Sequence, residues 1–355
     1  MTKKTRVGFI GFVSLTLAIA AAAAYFGYQI LRMPVSSNKT EIIFEVNPGT
    51  SLSQISGQLR EKNLIRNARL FQFYATVKGL ASKFKVGEYS LNQGMKPDEI
   101  IRVIVSGKSI ARTITVAEGL NLYDIAAIFE KNKIATSEEF FKIVVDRKFI
   151  QSLLNENVTS LEGYLYPETY KFTKFEDAKS IVTQMVNRFL GVWKEIEPQA
   201  NAIGWSRVQV VTFASIIEKE TGAGFERPIV SSVFHNRINK KMRLQTDPTV
   251  LYGLAVQQGK MPTNITKNDL LTPTVYNTYT IMGLPPTPIA NPGIEALQAA
   301  VKPAKSNYLF FVSQNNGTHI FSENIQQHNK SVKEYQQNAR QRANKSWRDL
   351  KKAKK

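Results

Sequence analysis

Polar and apolar residues change their spacing several times along the chain, and each change marks an element. EIIFEV (41–46) alternates with a period of two, as a half-buried strand does. After the Pro48-Gly49 turn, Leu52, Ile55 and Leu59 recur at helical spacing behind Thr50 and Ser51, either of which can cap a helix. ARLFQFYATVKGL predicts a second helix and FKVGEYSL a second strand, so residues 41–91 read strand, helix, helix, strand. KPDEIIRVIVSGK opens on a proline and two acids and predicts a helix that stops at Gly107. ARTITV predicts a strand. AEGLNLYDIAAIFEKNKI predicts a turn and then a helix with Leu122, Ile125 and Ile128 on one face. VNPGTSLSQISGQLREKNLI and VAEGLNLYDIAAIFEKNKI form an imperfect internal repeat.

Residues 137–200 are predicted mainly helical, broken by the aromatic-rich SLEGYLYPETYKF (160–172), which reads as strand and loop around Gly163 and Pro167. Residues 206–220 predict a strongly apolar helix, and 226–240 another with Pro228 early in it. MRLQTDPTVLYGL starts as a loop and ends in a short helix. Residues 270–293 hold five prolines, which predicts an ordered functional loop or a linker. IEALQAAVKPA predicts a helix. NYLFFVSQNNGTHIFS predicts a hairpin turning at Asn315-Asn316-Gly317.

The N-terminus adds an address. From Val7 to Ile30 there is no charged residue, and about 20 apolar residues suffice to cross a bilayer core, against about 7–15 in a signal-peptide core. Lys3, Lys4 and Arg6 precede this stretch and Arg32 follows it, which predicts an N-terminus on the cytoplasmic side and the remaining chain outside the inner membrane. That placement argues against nucleic acid as the partner of a chain with net charge +19. An acidic polymer or anionic lipid fits better, and residues 330–355 concentrate ten Lys/Arg against Glu334 and Asp349. The absence of cysteine excludes thiol chemistry, cysteine metal sites and disulfides. The three histidines, His235, His319 and His328, show no metal-binding spacing, and GxSxG, Walker A and GxGxxG are all missing. Neither a metal nor a cofactor is expected.

The chemistry suggested by the pattern lies in ASIIEKETG (214–222). On a helix, Val211, Ala214, Ser215, Glu218 and Gly222 share a face, which sets the Glu218 carboxyl among small and apolar groups. A carboxyl desolvated in this way keeps its proton and can serve as general acid and then as base. An exposed glutamate partnered by Lys or Arg at a helix end is the competing reading. Glu220, two residues on, points elsewhere as long as the helix continues through it. Tyr, Asn, Gln and acidic residues that suit sugars gather in the same half of the chain, among them Glu162, Tyr164, Tyr166, Asn236, Gln245, Asp247, Asn277 and Tyr279.

SLEGYLYPETY, ASIIEKET, ERPIVSSVFHNRI, MRLQTDPTVLYG, YNTYTIMGLPPTPIANPG and HIFSENIQQHN occur in that order, and together they resemble the YceG-like endolytic murein transglycosylase family. The resemblance implies an α+β chain in four parts. Residues 1–33 form a cytoplasmic stub and single transmembrane helix, 34–110 a LysM-like βααβ module, 111–340 a mixed α/β catalytic domain with a helical subdomain, and 341–355 a basic tail. It implies a lyase that cuts MurNAc–GlcNAc bonds inside nascent peptidoglycan strands, leaves 1,6-anhydro-MurNAc ends, and ends glycan elongation beside peptidoglycan synthases. It further implies that Glu218 is the catalytic acid and base. Gln245, Asp247, Asn236 and Asn277 are the candidates for positioning sugar or orienting Glu218, with Tyr164 as a stacking ring or a core residue. One departure is Tyr166-Pro167-Glu168, where the family more often has Phe and Asp. A muramidase-type hydrolase and a non-catalytic peptidoglycan-binding or division scaffold remain as alternatives.

Overall fold

A computed structural model describes residues 15–337, apart from 20, 23, 24 and 30. The basic tail and much of the uncharged N-terminal stretch therefore lie outside the described residues. Among those described, no helix is long and apolar enough to cross a membrane. The chain divides into two compact units. One runs up to Arg112 and takes in Lys171–Glu176, and the other holds Thr113–Tyr170 and the chain from Asp177 onward.

The first unit has the predicted strand-helix-helix-strand order: β1 (Ile42–Val46), α1 (Leu52–Glu61), α2 (Ala68–Val77) and β2 (Gly87–Leu91), followed by α3 (Pro97–Ser106). β1 and β2 pair antiparallel, with Phe44 opposite Tyr89. The period-two pattern of EIIFEV turns Phe44 and Val46 inward, where they meet Ile55 and Leu59 of α1, Phe71 of α2 and Ile100 and Ile104 of α3. Full burial of each such side chain contributes roughly 1.5–3 kcal/mol, so this small core can hold the unit together. Ser51 caps α1 through a capping box with Gln54, and Gly107 ends α3 in the left-handed conformation at φ 72°.

The second unit is mainly helical. β3 (Arg112–Thr115) pairs with β4 (Thr169–Phe172), and this unit holds Thr113–Thr115 of the one and Thr169–Tyr170 of the other; between them lie α4 (Leu122–Lys131), α5 (Ser137–Val144) and α6 (Arg147–Leu154). α7 (Ala178–Ala202) is a long helix that lays Ile181, Met185, Phe189 and Ile196 into the core. α8 (Arg207–Glu220) starts at a Ser206–Gln209 capping box and buries every residue from Val210 to Ile217. α9 (Arg227–Asn239), α10 (Asp247–Gln258), the five-residue α11 (Lys267–Leu271) and α12 (Ile294–Val301) follow. The hairpin β5 (Phe310–Ser313) and β6 (His319–Ser322) and then α13 (Ile325–Val332) complete the unit. The hairpin registers Ser313 opposite His319, with left-handed Asn315 and Gly317 in its turn. α11 lies mostly before the proline-rich 270–293 stretch and overlaps it only at Leu270 and Leu271. A Thr266–Asp269 capping box starts it.

Glycine is required where chain segments meet. Gly163 sits at φ 88°, and a Cβ there would come within 2.7 Å of Pro288 and Val211. This contact seats the 270–293 loop against α8.

Candidate active site

α8 ends on two carboxylates in different surroundings. The Glu218 side chain is 6% exposed. Its Oε1 accepts from Arg227 Nη2 at 2.9 Å, and its Oε2 accepts from the Gly293 amide at 3.1 Å. Arg227 also pairs through Nη1 with Glu295 and approaches Glu118 at 3.6 Å. One guanidinium, buried to 7% exposure, thus gathers three carboxylates from the 118 turn, α8 and the start of α12. Glu118 feels the crowding: partial burial and the charges of Glu218 and Glu295 raise its pKa against the pull of Arg227. A Cβ at Gly293 would meet the Glu118 carboxylate as it stands, so a larger residue there would displace Glu118. The free, desolvated carboxyl expected at Glu218 is therefore not what the structure shows. Helix phase places it as predicted, but an arginine nine residues on and a backbone amide from the proline-rich loop occupy its oxygens.

Glu220 occupies the last helical position, and Thr221 after it is extended at φ −135° and ψ 133°. The helix stops there, so the chain leaves in a new direction. The Glu220 carboxyl is pushed up to about 7, mainly by burial and also by the charge of Asp247, while the Thr246 side chain and Arg237 oppose the rise. A carboxyl in that range exchanges its proton near neutral pH, as general acid–base work requires. Two of these neighbours, Thr246 and Asp247, come from QTDPT, a segment the sequence had assigned to Glu218, and Arg237 comes from α9.

The other expected site residues fall into two groups. Gln245 and Asp247 flank the buried Thr246 where the chain enters α10 near Glu220, and both are exposed. Gln245 adopts φ 52°, an unusual backbone state for a residue with a side chain. Asp247 accepts from the Tyr279 hydroxyl at 2.7 Å. The remaining three are held by structural bonds. Asn236 donates to Ser306 O and Tyr308 O at 2.8 and 3.0 Å, which anchors the approach to β5. Asn277 is fully buried and donates to Asp269 O, Leu270 O and Thr272 O at 3.3, 3.1 and 2.8 Å. Tyr164 is also fully buried, with Phe189 edge-on at 5.1 Å, so neither face is open to a sugar.

Glu162 is a further buried acid. It has 0% exposure and accepts from Leu122 N–H at 3.0 Å, Tyr252 Oη at 2.8 Å and Asn291 Nδ2 at 3.3 Å. Burial pushes its carboxyl up to about 8, against the lowering effect of the Leu122 and Tyr252 bonds. It ties α4, α10 and the loop carrying Gly293 into one frame. Among the described residues, no cluster of three or more His, Cys, Asp or Glu could hold a metal ion. Sequence reading missed Arg227, Thr246 and Gly293. ERP and ANPG hinted at the first and last, but only folding shows what they touch.

Fold and site together define a mixed α/β protein with a candidate acid–base carboxyl at a helix end. The chain belongs to the YceG-like family, whose pattern matches residues 44–334. It is similar to the endolytic murein transglycosylase of Bacillus subtilis, 35% identical over 335 residues that span 89% of this chain and 91% of that protein. The endolytic murein transglycosylase of Streptococcus pneumoniae is 28% identical, and the match spans 90% of this chain and 63% of that one. A yceG-like protein from Listeria monocytogenes, known from its crystal structure, matches at 34% identity with a TM-score of 0.57, covering 82% of this chain and 99% of that one.

Proposed function

We infer that this chain is an endolytic murein transglycosylase, a lyase acting on peptidoglycan glycan strands, with Glu220 as its acid and base. The observation that carries the choice of residue is the contrast at the end of α8: Glu218 is committed to Arg227 and Gly293, while burial and Asp247 let Glu220 hold a proton up to about pH 7. In the forward step the Glu220 carboxyl gives its proton to the glycosidic oxygen, and the bond from that oxygen to the muramic C1 breaks. The resulting carboxylate takes the proton from the muramic C6 hydroxyl as O6 bonds to C1. One carboxyl serves both halves, the 1,6-anhydro ring closes, and no water is consumed. A glycosidase pair instead divides these roles between two carboxyls. In this reading Gln245 and Asp247 border the sugar, and Glu218 positions the helix end through Arg227.

The remaining assignments are parts of the same proposal. The uncharged stretch 7–30 anchors the chain in the inner membrane and leaves the enzyme on the outer side, supported by its length and the basic residues before it. The βααβ unit serves as a LysM-like module, supported by its element order and the antiparallel β1–β2 pairing. The net charge of +19 suits the carboxylates of peptide stems, and residence beside peptidoglycan synthases would let the enzyme end nascent strands. The test is to incubate the full chain in detergent with purified peptidoglycan and weigh the released fragments. Anhydro-ended products, lighter by one water than hydrolytic ones, are expected. Reducing ends would mean a hydrolase, and binding without release would mean a scaffold.

A further inference from the structure

α8 lacks the backbone bond that usually closes a helix. Among the described residues, the amide of its capping residue Thr221 makes no such bond. In α9, by contrast, Lys240 N–H donates to Asn236 O at 3.0 Å. Side chains close the end of α8 instead. Thr221 is 3% exposed; its hydroxyl accepts from the Ala223 amide at 3.0 Å and donates to Glu226 Oε2 at 3.2 Å. Glu226 is 2% exposed, and both of its oxygens are also held by His319. The His319 amide donates to Oε1 at 2.8 Å, and Nδ1 lies 2.7 Å from Oε2. An ionised carboxylate can only accept, so Nδ1 carries the proton in this arrangement. The imidazole sits on β6, edge-on to Phe311 at 5.4 Å, which fixes its plane. A buried carboxylate thus receives three donors, two of them from a strand 93 residues away.

We propose that His319, Glu226 and Thr221 form a positioning relay that aims Glu220. The proposal rests on the reading of Glu220 as the acid. Glu220 immediately precedes Thr221, so the side chains that hold the Thr221 turn set the direction in which the carboxyl leaves α8. None of the three reaches the reacting atoms. A misplacement of about 1 Å in a catalytic group can cost about 10²-fold in rate, and this is the loss the relay prevents. It also gives the late HIFS motif a role: the hairpin carries a brace to the end of the catalytic helix.

The test measures kcat and KM for fragment release by the full chain carrying His319→Ala, His319→Asn or Thr221→Val, with Glu220→Gln alongside. His319→Ala should lower kcat by about 10- to 100-fold while KM stays within about twofold. His319→Asn places an amide nitrogen near the position of Nδ1 and should recover most of the loss. Thr221→Val keeps the volume but removes the hydroxyl, and it should lower kcat by a smaller factor. If His319→Ala does not fold, Thr221→Val decides. Wild-type kcat in a folded Thr221→Val, a His319→Asn no better than His319→Ala, or a change in KM alone would each overturn the relay. Wild-type kcat in Glu220→Gln would overturn the acid assignment instead, so the two failures are distinguishable.

Discussion

Glu218 and Glu220 are separated by one residue, yet each belongs to a different region of the molecule. Glu218 faces a shared ion cluster, where Arg227 binds three carboxylates and a backbone amide completes the set. Glu220 faces a loop in which burial and Asp247 favour its neutral form. Two residues on a helix lie about 200° apart, so the change of face is expected. Which face meets an arginine is decided by segments far along the chain. The comparison teaches that a buried carboxylate can be either a brace or an acid, and that its hydrogen-bond partners decide which.

The largest expected effect comes from the acid itself. Glu220→Gln should lower kcat by about 10²- to 10⁴-fold, the usual contribution of general acid–base catalysis, with the fold retained by circular dichroism. A smaller effect should come from the other face, and in a different quantity. Glu218→Gln leaves Arg227 short of one charged partner and should reduce unfolding free energy by about 2 kcal/mol in a denaturant titration. Its kcat should fall by less than about tenfold, because only positioning is lost.

Glu162 extends the comparison to pH. Its folded-state pKa of about 8 lies above the ordinary glutamate value of 4.5. The folded protein therefore holds a proton that the unfolded chain has lost across that window, and stability falls as pH rises from about 4.5 to about 8. Below the window the contribution is fully present. Glu162→Gln cannot titrate and should flatten this part of the stability–pH curve, as measured by melting temperature across buffers. The smallest effect should come from Asp247→Asn. Removing a charge that raises the Glu220 pKa should move the alkaline limb of kcat/KM to lower pH.

Much of the fold was legible from pattern alone. The βααβ order followed from the shift between period two and helical spacing, and the hairpin from alternation around Asn315 and Gly317. The α8 span followed from its apolar run and the Ser206 cap. The site was legible only to the level of ASIIEKET. Periodicity identified which residues of α8 are inward, but the groups that cover them come from elsewhere. Gly293 reaches Glu218 across 75 residues, and Asn277 spends its amide on the backbone of its own loop. Asn277 and Tyr164 looked like sugar ligands because polar and aromatic types serve binding and structure equally well, and burial separates the two uses.

The most direct test of the central claim is the pH dependence of kcat/KM for fragment release, measured on one peptidoglycan preparation for the wild-type chain, Glu218→Gln and Glu220→Gln. The account predicts an alkaline limb near pH 7 in the wild type and in folded Glu218→Gln, and a rate in Glu220→Gln too low to show a limb. An active Glu220→Gln beside a silent, folded Glu218→Gln would contradict it and return the acid to Glu218.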